Sequence, residues 1–300
     1  MRVALPRYFL LSVMMIMKSN EQQLNEQALL ASLDKHRNKL IERNGGWVVG
    51  EGVFSHGQNL LQGLLANKSY FHLLILNATG QFPEDRLCQW LEASFICLSW
   101  PDPRIWCNTI GAYGGSARAT VLASTVAGIL GSDSSMYGTG FYPVLVKYLE
   151  DMLSLHKSGM SAEQIVDQEV AKTKGRVKML GFARPIAKGD ERVVEMLAYA
   201  KQLEFAHGEY MTLALDIEKY LLEKYDESLN IGGYIACFLL DQHFNAQQIY
   251  NLLAIYVNSG ITACYQAELE KEEGHFLPMR CDDVEYTGPE ARELPSRLLK

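Results

Sequence analysis

Apolar residues recur every three or four positions along most of this chain. Between residues 22 and 43, Leu24, Ala28, Leu29, Leu33, Leu40 and Ile41 stand among charges, which predicts an amphipathic helix. From 83 to 99, Pro83-Glu84-Asp85 supplies first-turn residues, and Leu87, Trp90, Leu91 and Phe95 follow at helical spacing. Residues 115 to 131 are rich in Ala, Ser and Gly, which predicts a helix packed closely against others. Further helical stretches run over 139–157, 161–174, 189–206, 209–225, 230–242 and 245–271. Alternation of the strand type is scarce. Residues 47–53 read as a short hairpin beginning at Gly45-Gly46, and Val284-Glu285-Tyr286-Thr287 is the other strand candidate. There is no βαβ alternation, internal repeat or low-complexity segment, so the pattern predicts an all-α protein.

Composition adds a large core. Of 300 residues, 48% are hydrophobic and 21% charged, ample apolar material for one or two domains. A net charge of −7 argues against a nucleic-acid or anionic-membrane partner. The basic run Lys172-Thr173-Lys174-Gly175-Arg176-Val177-Lys178 suits either a phosphorylated small ligand or a solvated loop. The six cysteines form no C-x-x-C pair, which fits reduced, buried thiols of a cytoplasmic protein. No histidines have metal-ligand spacing, so no metal site is expected.

The first residues stand apart. Arg2 to Arg7 and the apolar run Tyr8 to Met17 resemble the opening of a secretory signal, yet that run is too short to span a bilayer. No small-residue cleavage site follows it. With Met14, Met15 and Met17 as alternative starts, residues 1–21 are expected to be a flexible tail or a misassigned start.

Two stretches carry chemistry. Val177-Lys178-Met179-Leu180-Gly181-Phe182-Ala183-Arg184-Pro185-Ile186-Ala187-Lys188 resembles "K-x-x-G-F-G-H-R-x-x-K", and Leu229-Asn230-Ile231-Gly232-Gly233-Tyr234-Ile235-Ala236 resembles "L-N-V-D-x-x-x-A". Both are motifs of the citrate synthase and citryl-CoA lyase superfamily. The resemblance extends to Gly50-Glu51-Gly52-Val53-Phe54-Ser55-His56, to Ser69 through Pro83, to Gly260 through Tyr265, and to the closing Asp282-Asp283-Val284-Glu285-Tyr286, which is similar to the end of citryl-CoA lyase and of ATP-citrate lyase. It implies a citrate-synthase-like homodimer with a large helical domain from residues 22–137 and 244–300 and a smaller inserted helical domain from 138–243. Coenzyme A would bind mainly to the smaller one, with the active site in the cleft between them.

Members of this family make or break a carbon–carbon bond beside a thioester. The α-proton of an acyl-CoA is very weakly acidic, so a carboxylate removes it while a neutral histidine hydrogen-bonds the enol oxygen and a second histidine serves the other carbonyl. Here Tyr137 stands at the first histidine, as an enolate donor or a packed aromatic, and Arg184 at the second. Gly232 occupies the position of the catalytic aspartate, and Pro103 follows Asp102 where the family has a further histidine. The resemblance therefore implies catalytic roles for Tyr137 and Arg184, and substrate or CoA contacts from Lys178, Gly181, Phe182, Lys188 and Arg192. The expected substrates are a CoA thioester and a small carboxylate, with no tightly bound cofactor. Arg184 is either a bidentate anion clamp or an arginine paired with a helix carboxylate.

Three outcomes remain open: a relocated mechanism drawing on Asp133, Asp241, His207 or His243, binding without turnover, or a structural partner of an active homologue. Glycine-rich Gly111 to Ser116 lacks nucleotide-binding spacing and reads as helix packing. No G-x-S-x-G elbow supports a serine hydrolase. The run Glu268 to Glu273 reads as a solvated helix end. The small-residue helix needs a neighbour to cover it, so Ala123 and Ala127 are expected to be buried in a homodimer.

Overall fold

The computed structural model describes residue 22 and residues 24–184, 188–276 and 279–293. The expected tail, 1–21, lies outside the described residues. The chain divides into two compact units, Met1–Asn67 and Lys68–Lys300.

The first unit holds helix α1 (24–35) and an antiparallel sheet of β1 (Gly45–Val48), β2 (Gly52–Ser55) and β3 (Gln58–Asn59). Trp47 pairs with Val53, and a turn at Gly50, with φ of +83°, joins the strands as a hairpin. The helix expected over 22–43 stops early, and Asn38 takes a left-handed conformation beyond its end.

The second unit is helical: α2 (Tyr70–Thr79), α3 (Asp85–Leu98), α4 (Trp106–Ser116), α5 (Val121–Ser132), α6 (Tyr142–Lys157), α7 (Ala162–Lys172), α8 (Glu191–Gln202), α9 (Glu209–Tyr225), α10 (Ile231–Asp241), α11 (Ala246–Leu253) and α12 (Asn258–Leu269). Helix α10 is apolar on nearly every side and its residues Gly233 through Leu240 are all buried, as expected for a core helix. Around it, Trp90 of α3 stacks on Phe238 at 3.7 Å between ring centroids and donates its indole N–H to the Tyr234 hydroxyl at 3.2 Å. That hydroxyl donates in turn to the Met196 carbonyl at 2.9 Å, so each buried polar atom of this aromatic group has a partner.

Helices α4, α5 and α12 form a second close-packed group. A Cβ on Gly111 would lie 2.6 Å from Ile261 Cγ2, and one on Gly128 would lie 2.7 Å from the same atom. Glycine is needed at both positions because a larger residue would push the helices apart.

Four further sequence expectations change. The single helix over 115–131 becomes two, because Arg118 adopts a left-handed conformation between α4 and α5. Its guanidinium takes the carbonyls of Gly115, Glu268, Leu269 and Lys271, which holds the break in place. The helix over 245–271 also divides. Between α11 and α12 the Tyr256 carbonyl accepts from the Ser99 hydroxyl, a partner outside the helix. Residues 284–287 form no strand; a short 3-10 turn, Cys281–Asp283, precedes them. Finally, Glu268 is buried rather than solvated: Lys271 pairs with one carboxylate oxygen and the other has no hydrogen-bond partner among the described residues.

Candidate functional site

The two motif stretches meet in space. The Ala183 N–H donates to the Ser228 carbonyl at 2.8 Å and the Asn230 N–H to the Gly181 carbonyl at 3.0 Å. The Asn230 side-chain amide donates to the Ala183 carbonyl at 2.9 Å, and Phe182 forms an antiparallel bridge with Leu229. Asn230 also caps α10, accepting from the Gly233 N–H. Gly181, at φ +83°, and Phe182 are both buried, so their positions hold the loop against the start of α10.

That junction fixes a buried charge cluster. Asp190 is the N-cap of α8, with its side chain only 1% exposed. It receives Arg192 in a bidentate pair, Nε to Oδ1 at 2.7 Å and Nη2 to Oδ2 at 2.8 Å. The Ile231 N–H at the start of α10 donates to Oδ2 at 2.9 Å, and Arg184 Nη1 lies 3.9 Å from Oδ1. Burial pushes the Asp190 carboxyl upward. The Arg192 hydrogen bonds and charge, the Ile231 amide and Arg184 outweigh that and hold it below its ordinary value. Asp190 stays an anion with its lone pairs spoken for.

Arg192 is thereby aimed. Its Nη1 has no hydrogen-bond partner among the described residues, and its charge acts on the hydroxyls of Tyr137, Tyr142 and Tyr256. Tyr137 is half-buried, its ring 5.4 Å from that of Trp106 and its hydroxyl 3.6 Å from Cys107 Sγ. Burial and the Cys107 thiol push its phenol far above the ordinary value, against the pull of Arg192. The hydroxyl keeps its proton at any physiological pH and can serve as a hydrogen-bond donor.

The remaining sequence candidates are dispersed. Arg184 donates to Glu191 at 2.9 Å and to the Gly189 carbonyl at 3.2 Å. Lys188 is exposed and paired with Asp226, and Lys178 is exposed on the loop after α7. Asp241 accepts the amides of Gly208, Tyr210 and Met211 at the start of α9. With His207 it lines a cavity of about 10 Å³, room for a single water. Asp133 accepts from Tyr250, and His243 takes a left-handed turn after α10. Gly232 sits one residue past the Ile231 amide that binds Asp190, and a Cβ there would meet only Asn230 Oδ1 at 3.3 Å.

Sequence reasoning missed Asp190, Cys107, Tyr142 and Tyr256. Asp190 had a readable signal, a helix-capping residue after a glycine and two positions before an arginine. Cys107, Tyr142 and Tyr256 carry no motif and are brought together by packing alone. Among the described residues no three His, Cys, Asp or Glu side chains converge to hold a metal ion. No helix among them is long and apolar enough to cross a membrane.

The fold is similar to that of solved citryl-CoA lyase, ATP citrate lyase and citrate synthase structures. The chain is similar to citryl-CoA lyase from Hydrogenobacter thermophilus, at 24% identity and a TM-score of 0.68 over 87% of this chain and 99% of that one. It is also similar to ATP citrate lyase from Methanothrix soehngenii in complex with citrate and coenzyme A, at 19% identity and a TM-score of 0.69, over 88% of this chain and 44% of that one. Citrate synthase from Thermotoga maritima matches at 18% identity and a TM-score of 0.57, over 77% of this chain and 61% of that one. No family model matches the sequence, and no curated protein matches it either.

Proposed function

We propose that this protein binds a CoA thioester and a small carboxylate beside Tyr137 and Arg192, and makes or breaks a carbon–carbon bond next to the thioester carbonyl. The observation that carries the reading is the joined pair of motif stretches, which meets the buried Asp190–Arg192 pair at the start of α10. Tyr137 donates to the thioester oxygen as it gains charge, and Arg192 contributes the compensating positive field. Arg184 supports Arg192 through their shared Asp190, and the loop bearing Lys178, Gly181, Phe182 and Lys188 lies where the CoA portion binds. The reading includes a CoA-binding domain over residues 138–243, a homodimer and a cytoplasmic location. The fold shared with citryl-CoA lyase and with an ATP citrate lyase that binds citrate and coenzyme A supports it. Titration calorimetry with CoA and acetyl-CoA at millimolar concentration tests it; absence of heat for both overturns it.

A second reading, a catalytically inactive CoA binder or dimerisation partner, is favoured by a different observation. Arg184 and Lys188 are already paired with Glu191 and Asp226, and Gly232 offers no base. It requires that Tyr137→Phe and Arg184→Ala leave every measured property unchanged.

A further inference from the structure

Three side chains at the starts of α2 and α3 form a relay that shares no residue with the Asp190–Arg192 cluster. Ser69, the exposed N-cap of α2, has its hydroxyl oxygen 3.0 Å from His72 Nδ1. The other ring nitrogen, Nε2, lies 2.8 Å from Asp85 Oδ1. The imidazole is buried, with its centroid 5.7 Å from that of the Phe82 ring. Lys68 Nζ reaches the same Asp85 oxygen at 2.6 Å, and Lys68 and His72 together hold that carboxyl below its ordinary value. The proton positions follow from a backbone contact. The Ser69 N–H can only donate, and it lies 3.2 Å from His72 Nδ1. Nδ1 is therefore the acceptor nitrogen, and the ring proton sits on Nε2 facing Asp85. A capping box accounts for the first contact, since a glutamine or glutamate at position 72 would accept the same N–H. It does not account for a carboxylate on the far nitrogen of the ring.

Hydroxyl, imidazole lone pair and carboxylate thus stand in the order that converts a serine into a nucleophile. We propose that Ser69 attacks small carboxylic esters, with His72 as its base and Asp85 as the positioning residue that orients His72. His72 Nδ1 takes the hydroxyl proton as Ser69 Oγ attacks the ester carbonyl. The Tyr70 and Phe71 amides begin α2 and have no acceptor within it, so they supply hydrogen bonds to the oxyanion at the positive end of the helix. The ester C–O bond then breaks, the leaving oxygen takes the proton from His72, and the acyl group stays on Ser69. Water, deprotonated by the same nitrogen, releases the carboxylic acid and restores the hydroxyl. Atoms and charge balance, and no oxidant or reductant is needed. Ser69 is exposed and the Asp85 side chain is 65% exposed, so the site is open. Such a site suits unhindered acyl groups on good leaving groups.

The experiment treats the full chain with a fluorophosphonate, whose serine adduct water does not release, and in parallel with p-nitrophenyl acetate. The expected result is a phosphonyl adduct on Ser69, located by peptide mass spectrometry, together with loss of p-nitrophenyl acetate hydrolysis. Absence of that adduct overturns the proposal, as does ester hydrolysis that survives complete labelling or acetyl groups found on lysines alone. His72→Gln separates the relay from the cap, because glutamine still accepts the Ser69 N–H but is no base. It is expected to slow labelling roughly 10²-fold, and a folded variant that labels as fast as the parent overturns the proposal. Asp85→Asn covers the case in which His72→Gln does not fold, since Asp85 is exposed. It is expected to slow labelling at least about 10-fold, with much of the rate recovered in Asp85→Glu. Equal rates in the parent and Asp85→Asn would leave the contacts as a helix cap and nothing more.

Discussion

Gly181 and Gly233 touch backbone to backbone. A Cβ on Gly233 would lie 2.2 Å from the Gly181 carbonyl oxygen, and one on Gly181 would lie 3.0 Å from Gly233 Cα. The contact sets how closely the 181–184 loop approaches α10. Gly233→Ala is expected to cost about 1–3 kcal/mol, because the atoms it strikes are main chain and cannot rotate away. Gly232→Ala, one residue earlier and facing open space, is expected to change stability by less than about 1 kcal/mol. Thermal unfolding of the two variants checks both; similar melting temperatures would remove the close approach as an explanation.

Asp190 ties acid stability to the site. Its folded carboxyl lies below its unfolded value, so the cluster stabilises the fold above the unfolded value and loses that contribution as pH falls through the folded one. Asp190→Asn is expected to cost about 3–5 kcal/mol near neutral pH, since it strands the partly buried Arg192. Its stability should also fall less steeply than that of the parent below about pH 4. Denaturant unfolding across pH 3 to 7 measures both, and parallel curves would count against the assignment.

Tyr137 separates chemistry from packing. Its ring lies beside Trp106 and its hydroxyl reaches Cys107, so Tyr137→Phe retains the ring contact and deletes the donor. We expect kcat to drop roughly 10²–10³-fold with little change in KM or melting temperature. A rise in KM alone would instead mean that the hydroxyl binds ground state and transition state equally.

The outer face of α5 is apolar without interruption. Val121, Leu122, Ala123, Val126, Ala127 and Leu130 are all exposed in the protomer, and Trp106 and Tyr113 are exposed on neighbouring α4. Such a patch marks an interaction surface, and the absence of charge on either helix suits a second copy of itself. We expect a homodimer of twice 33.7 kDa, with Leu122→Glu or Val126→Arg shifting it to monomer in light scattering. Ala123→Phe should weaken it by about 1–3 kcal/mol. A wild-type monomer at micromolar concentration would refute this.

Much of the fold was legible because helical periodicity is strong in α3, α6, α7, α8 and α9, where polar and apolar residues alternate around each helix. The hairpin was readable from its glycines for the same local reason. Legibility failed where distant residues decide the outcome. The α4–α5 break depends on carbonyls about 150 residues away that hold the Arg118 guanidinium. The division of α11 from α12 depends on Ser99. At the site, Tyr137 and Arg192 could be marked from sequence by resemblance, but the group that aims Arg192 is Asp190, whose sequence neighbourhood reads as an ordinary helix cap. The small-residue helix was read correctly as closely packed, yet its buried face within the protomer is Ser124, Thr125, Gly128 and Ser132 rather than the alanines.

The contacts of Gly111 with Ile261 and of Gly115 with Tyr265 advance together along α4 and α12, so these two helices run parallel. Parallel neighbours place their negative C-terminal ends side by side, an arrangement that antiparallel packing avoids. One cation, the Arg118 guanidinium, lies across both ends and binds carbonyls from each. Two helix C-termini thus meet at one end of the group, where the Arg118 guanidinium adds its positive charge to that of the nearby α5 N-terminus. Salt, which screens such fields over roughly 8–10 Å, should matter more to a protein lacking that charge than to the protein that carries it.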